Sequence, residues 1–388
     1  MRRRILIIGL GAAAALAVGS LPLLLAARNE PVATLAPERV SPAEHQQTIE
    51  ALKPPKRQRP AIAILALNEA TEVSDLLSSY GMLAQSGVAD VTVVAHRPDP
   101  IRLYPSSIRV EPQATTAQFD ASYPEGADYV VVPAMEPRDD PAVIAWIKAQ
   151  HGKGAKIVSI CNGSLTLSST KLLDGRRATG HWYSVKQLQA ENPAMEWARD
   201  RRYVVDRGVA TSTGVTSSVP LLIALVEAIG GRAEAEKLAM SLGVTDWDAR
   251  HRSSAFQLSF EHRTTFVRNK LSFWRHEVIG IKVDDNVDEA ALGFMVDAYS
   301  RTELTKVITV GVADGVVQSR HGLRLRPDAP AATAGAETML QPPSDEPVRA
   351  LDGELSRIAS RYDRPTAAYV ALTMEHPWSE QQSRLAQD

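Results

Sequence analysis

Four short runs of small and β-branched apolar residues, AIAILAL from Ala61, VTVVA from Val91, YVVVPA from Tyr129 and KIVSI from Lys156, are separated by polar turns and by stretches with helical periodicity. Runs that are apolar throughout, rather than alternately apolar and polar, belong to strands buried on both faces, and such strands form parallel sheets covered by helices. Helical spacing fits Thr71 to Ala84, with Val73, Leu76, Leu77 and Met82 on one side, and Pro141 to His151. A later stripe of Val219, Leu222, Ile223, Val226 and Ile229 predicts a core-facing helix with Ser218 as its N-cap and Pro220 in its first turn. The expected class is α/β, a parallel sheet sandwiched by helices.

Cys161, the single cysteine of the chain, stands where the fourth run stops and a helical run begins, in KIVSICNGSLTL. A side chain on such a strand-to-helix turn projects above the sheet at a helix N-terminus. The small residues Ser159 and Gly163, two positions either side, meet the steric demands of the turn, as in the G-x-S-x-G elbow of hydrolases. Free N–H groups at the helix start favour a thiolate and can hold an oxyanion, so the position predicts a nucleophile with a lowered thiol pKa. A small buried hydrophobe is the other use of an unpaired cysteine.

The segment CNGSLTLSSTKLLDGRRATGHW resembles, without a gap, the nucleophile segment of ThiJ/PfpI (class I glutamine amidotransferase-like) proteins, C-T-G-x-x-x-L-A-x-x-G-L-L-x-G-x-x-A-T-T-H-W. The branch is similar to isocyanide hydratases and to the amidase-like sensor domain of AraC-type regulators. RYVVDRGVATSTGVTSSVPLLIAL resembles a second family segment, so the likeness covers most of residues 61 to 245. It implies a flavodoxin-like fold, Cys161 as nucleophile, and Asp75, in SDLLSSYGMLAQSG, as the acidic residue bonded to it, with Glu69 and Glu72 as alternatives. The residue after the nucleophile is Asn162, where the hydratase-like branch has Thr, and the usual Gly-Gly after the third strand is Ala134 and Met135. Asn162, Gly163, Ala134 and Met135 are the implied oxyanion and pocket positions. His181 is the candidate base of a Cys-His pair, or else a pocket-lining residue.

Arg2, Arg3 and Arg4 precede an uncharged run from Ile5 to Ala27, long enough to cross a hydrocarbon core of about 30 Å. The basic flank predicts a membrane anchor with the globular part extracytoplasmic (periplasmic); a cleaved signal and a secreted protein is the alternative. Residues 28–58, rich in proline, read as an extended linker between this segment and the domain at 59–245.

Residues 277–388 parallel the beginning of that domain. VIGIKVDDNVDEAALGFMVDAYS follows AIAILALNEATEVSDLLSSYGML, and ITVGVADGVVQSRHGLRLRPDAP follows VTVVAHRPDPIRLYPSSIRVEPQAT. The stretch reads as a truncated second copy without the elbow, pairing with the first as an internal pseudo-dimer. Residues 246–276, with most of the phenylalanines, read as an aromatic connector packed between the copies rather than as a membrane-surface or lid element.

A net charge of −2 gives no field for nucleic acid, no helix-turn-helix is recognisable, and dispersed histidines with one cysteine predict no metal site. The expected function is that of a membrane-tethered cysteine hydrolase or hydratase acting, with no cofactor, on a small carbonyl, amide or nitrile-like substrate. A non-enzymatic small-ligand or thiol redox sensor is the alternative.

Overall fold

The computed structural model describes residues 39–106, 108–311, 315–330 and 335–378. The apolar run at residues 5–27 and the start of the proline-rich stretch lie outside them. Among the described residues no helix is long and apolar enough to cross a membrane.

The first element among the described residues is a helix, α1 (Pro42–Leu52), which corrects the reading of that part of residues 28–58 as an extended linker. Its N-cap Ser41 accepts from the Glu44 backbone N–H at 3.0 Å, and Pro42 occupies the first turn. Ile49 and Leu52 are buried, the Tyr129 hydroxyl donates to the Leu52 carbonyl at 2.6 Å, and Arg201 pairs with Glu44 at 2.6 Å. The cap was legible as Ser-Pro-x-Glu, but prolines elsewhere in the stretch concealed it.

A seven-stranded sheet follows, built from β1 (Ala61–Ala66), β2 (Asp90–Ala95), β3 (Ala114–Thr115), β4 (Tyr129–Val132), β5 (Lys156–Ser159), β6 (Tyr203–Asp206) and β7 (Val209–Ser212). The strand order is β6-β7-β5-β4-β1-β2-β3, parallel throughout except for the β6/β7 pair. In β1, Ile62 and Ile64 enter one core layer and Ala63 and Leu65 the other, so both faces are covered. The covering helices include α2 (Val73–Ser86), α3 (Thr116–Ser122), α4 (Pro141–Gly152), α5 (Gly163–Thr170), α6 (Val185–Glu191), α7 (Ser218–Gly230) and α8 (Arg232–Leu242). The apolar stripe lies on α7 as expected, but the cap is Ser217, and the Ser218 hydroxyl donates to the Val215 carbonyl at 2.6 Å.

After α9 (Phe260–Leu271) comes a four-stranded parallel sheet of β8 (Glu277–Lys282), β9 (Thr305–Gly311), β10 (Ala329–Pro330) and β11 (Thr338–Leu340), in the order β10-β9-β8-β11. It carries α10 (Glu289–Ser300), α11 (Pro347–Arg361) and α12 (Arg364–Thr373). Helices α2 and α10 cross in close contact: a Cβ on Gly81 would lie 3.1 Å from that of Glu289, and one on Gly293 would lie 3.2 Å from that of Leu77. The two sheets therefore share one hydrophobic core. A second seam is antiparallel, with Val110 opposite Leu325 and Arg109 opposite Arg326, and Glu111 pairs there with Arg324 and Arg326.

The connector at 246–276 touches both halves: the Tyr203 hydroxyl donates to the Trp247 carbonyl at 2.8 Å, and His251 bonds Glu375 at 3.0 Å. Trp247 is buried, but α9 packs on α12 and leaves Phe260, Leu271, Phe273 and Trp274 exposed.

Candidate active site

Strand β5 ends at Ser159, and Cys161 follows in a left-handed conformation with φ 54° before α5 begins at Gly163. Such a φ is strained for any residue with a Cβ, and it persists because the surroundings fix it. The Ile160 N–H donates to the Val132 carbonyl at 3.0 Å, and the Ser164 hydroxyl donates to the Cys161 carbonyl at 3.0 Å. A Cβ on Gly163 would lie 2.0 Å from the Val132 oxygen, so only glycine lets α5 start this close to β4. This is the strand-turn-helix geometry expected of an elbow.

Two acids at the start of α2, Asp75 and its N-cap Glu72, act on the thiol through their charge. Asp75 is fully buried; its Oδ2 accepts from the Ala134 N–H at 2.9 Å, and its Oδ1 has no hydrogen-bond partner among the described residues. Burial pushes the Asp75 carboxyl up to about 7, against the bond from Ala134, with the Asp297 charge adding to the rise. Glu72, one of the two alternatives, caps α2, accepting from the Asp75 N–H and the Ser74 hydroxyl at 2.6 Å each. Burial and the charges of Asp297 and Asp75 hold its carboxyl well above the usual range. Glu69, the other alternative, is spent at the surface on Arg97, 2.6 Å away.

The thiol itself departs from expectation. Cys161 is 4 % exposed, and burial, reinforced by Asp75 and Glu72, pushes its pKa well above the ordinary value. Arg301 and the Asn162 backbone N–H act the other way, but they do not win. The helix N-terminus was expected to lower the thiol pKa; desolvation and two neighbouring carboxyls outweigh it.

The oxyanion and pocket positions are only partly available. The Ala134 N–H is committed to Asp75, so it does not face a substrate. Met135 is buried in the core layer beneath the sheet, and Asn162 precedes α5 with its side-chain oxygen unpartnered among the described residues. His181 bonds the Thr373 carbonyl through Nε2 at 3.0 Å, and its Nδ1 accepts from the Tyr183 N–H at 3.4 Å. Burial lowers its pKa, so the ring is neutral with both nitrogens engaged, and neither is left for the thiol. As the base of a Cys-His pair His181 does not fit.

Sequence reasoning missed the contribution of the C-terminal half. Arg301, directly after α10, lies 2.7 Å from Asp297 and 3.6 Å from Glu72, and its charge acts on the thiol. Glu375, beyond α12, sits against Gly214, where a Cβ would lie 2.3 Å from its Oε2, and pairs with His251 at 3.0 Å. Tyr104, opposite Glu72 on a short strand, feels the charges of Glu72, Asp75 and Cys161, and its hydroxyl pKa is raised, chiefly by burial. No spacing in the sequence links these residues to the elbow.

Comparison with known proteins adds the lineage. Residues 61–228 match the DJ-1/PfpI family. The chain is 33 % identical over 86 residues to the HTH-type transcriptional regulator CdhR of Pseudomonas aeruginosa, covering 22 % of this chain and 25 % of that protein. It is 27 % identical over 176 residues to the isonitrile hydratase of Pseudomonas putida, covering 43 % of this chain and 72 % of that one. The match thus spans only about a quarter of the regulator's length. Among solved structures, a ThiJ/PfpI family protein from Pseudomonas syringae aligns with TM-score 0.42 and 23 % identity, covering 54 % of this chain and 81 % of that one. Toxoplasma gondii DJ-1 in its oxidized form aligns with TM-score 0.42 and 22 % identity, over 48 % of this chain and all of that one. It is residues 61–228, which hold the elbow and both acids, that match the DJ-1/PfpI family.

Proposed function

We propose that this domain is a cysteine-centred hydratase or hydrolase for a small nitrile-like, carbonyl or amide substrate. The observation that carries the reading is a strained, left-handed Cys161 whose thiol lies in the field of Asp75, a buried carboxyl at about 7 with one oxygen unpartnered among the described residues. With the thiol pKa raised, the resting nucleophile is a neutral S–H, and ionised Asp75 is the base that takes its proton. For a nitrile-like carbon, sulfur then forms the new bond to carbon and Asp75 returns the proton to the substrate nitrogen. Water adds to that carbon, the C–S bond breaks, and the sulfur leaves as the thiol; the net reaction is addition of one water. Arg301 offsets part of the negative charge that Asp75 and Glu72 place around the sulfur.

Turnover of a panel of small isonitriles, nitriles and amides tests this. Activity that disappears in Cys161→Ala and falls in Asp75→Asn is the expected result; activity retained in Cys161→Ala overturns it.

The low exposure of Cys161 favours a second reading, a ligand or thiol sensor, in which the site opens only on binding. Saturable binding of the same small molecules by Cys161→Ala, with no turnover by the native chain, selects it.

Two wider features belong to this proposal. The body is held outside the cytoplasm by residues 5–27, for which a periplasm-only reporter fused after Asp388 is expected to be active and a cytoplasm-only reporter inactive. Residues 277–378 are a truncated second copy that covers the first: β8, β9 and β11 with α10 repeat the relation of β1, β2 and β4 with α2. Deleting them should bare the side of α2 that α10 covers and leave the product insoluble or oligomeric; a soluble monomer of unchanged Tm contradicts the reading.

A further inference from the structure

Helix α9 turns Phe266 toward Tyr369 of α12 but shows its other apolar residues on the side away from the protein. Thr265 and Asn269 face inward and are buried, and Asn269 donates to the Thr302 carbonyl at 2.9 Å and to the Thr366 hydroxyl at 3.0 Å. On the outer side stand Phe260, Val267 and Leu271, 58, 38 and 66 % exposed. Val267 and Leu271 follow Phe260 by close to two and three whole turns at about 3.6 residues each, so the three form one stripe. Directly after the helix, Phe273 and Trp274 are 75 and 72 % exposed, with their rings 5.1 Å apart edge to face. A helix packed on a core normally turns its apolar stripe inward, and a contiguous exposed patch of this kind marks an interaction surface.

We propose that α9 with Phe273 and Trp274 is a membrane-surface element, seated in the headgroup region of an anionic bilayer. Charge decides between a bilayer and a protein occupant. From Ser259 to His276 there is one acid, Glu261, against Arg263, Arg268, Lys270 and Arg275. Arg268 is paired with Asp363 at 2.9 Å, whereas Lys270 and Arg275 reach their acidic neighbours only at 3.8 and 3.7 Å, and Lys270 is well exposed. Phe, Trp and Leu on one side with Lys and Arg beside them is the composition of helices that lie in the plane of a membrane surface. Long basic side chains can keep their heads among anionic headgroups while their stems cover apolar surface, and tryptophan prefers that boundary. This inference does not depend on residues 5–27 being a membrane segment.

The full-length chain with vesicles of phosphatidylcholine and phosphatidylglycerol provides the test, using lipids with brominated acyl chains as quenchers of tryptophan emission. The Trp274 signal is the difference between the native chain and Trp274→Phe. The expected result is a loss of most of that signal in brominated vesicles, and none when Leu271→Ser and Phe273→Ser are combined. If residues 5–27 also anchor the chain, both forms sediment with the vesicles and only the quenching reports on α9; if they do not, the double variant also loses sedimentation. Trp274 unquenched by bromolipid but still accessible to an aqueous quencher overturns the proposal. Trp274 shielded from both, with a concentration-dependent dimer, overturns it in favour of a second copy of the chain.

Discussion

The Arg301 guanidinium lies 3.6 Å from Glu72 Oε1, bringing a cation from the C-terminal half to acids that the N-terminal half buries beside Cys161. It also holds Asp297 at 2.7 Å, and its charge acts on Asp75 as well. Arg301→Gln should destabilise the protein by about 3 kcal/mol, the lower end for breaking a buried pair, because the arginine side chain is a quarter exposed. The loss should shrink on acidification, as the orphaned carboxyls take up protons. A Tm equal to the native value at neutral pH would show that the cluster does not need this cation.

Asp75→Asn tests the raised carboxyl directly. A carboxyl pushed up to about 7 in the folded state, from an ordinary value of 3.8, binds more protons folded than unfolded between those limits. Its contribution is therefore fully present below about 3.8 and is lost as pH rises through about 7. Asparagine keeps the acceptor for the Ala134 N–H without the charge, so the variant should gain stability relative to the native chain as pH rises through that window. The gain should be on the order of a few kcal/mol at most. Chemical unfolding at pH 4 and pH 8 measures it, and a difference that does not vary with pH would show that Asp75 titrates normally.

For Cys161 the expected outcome is slow alkylation. Burial and the adjacent acids hold the thiol protonated, so iodoacetamide at neutral pH should label the folded chain far more slowly than the unfolded one. In Asp75→Asn one charge opposing the thiolate is gone, and the labelling midpoint should move to lower pH. Rapid, selective labelling at pH 6 would instead mean that the helix N-terminus prevails.

Gly163→Ala should be among the most damaging single changes in the domain. The new Cβ would lie 2.0 Å from the Val132 carbonyl oxygen, and its nearest neighbours are all backbone atoms of Val132 and Pro133, with nothing flexible to move aside. A loss of at least about 3 kcal/mol, or failure to fold, is expected. A soluble variant with the native Tm would mean the elbow is looser than its geometry indicates.

Ser41→Ala removes the side chain that caps α1 and should cost about 1 kcal/mol. Because α1 is tied to the body through Leu52 and Glu44, the loss should appear in the global unfolding transition rather than as local fraying. An unchanged transition would show that α1 contributes nothing to the fold.

What the sequence determined by itself is whatever local pattern encodes. The four apolar runs specified central strands β1, β2, β4 and β5, because burial on both faces leaves no polar alternation. The elbow was legible because its steric demands fall within a few residues of Cys161, and Gly163 meets them. Tertiary structure decided the electrostatics. The thiol pKa rises where a helix terminus alone would lower it, because burial and two carboxyls from α2 act over a few ångströms in a low dielectric. Arg301 stands 229 positions after Glu72, and Glu375 reaches Gly214 from beyond α12; no periodicity or motif encodes such pairings, which exist only once α2 and α10 cross. The outward face of α9 was equally hidden, since a stripe of Phe, Val and Leu states that a helix is amphipathic but not which side the rest of the chain will cover.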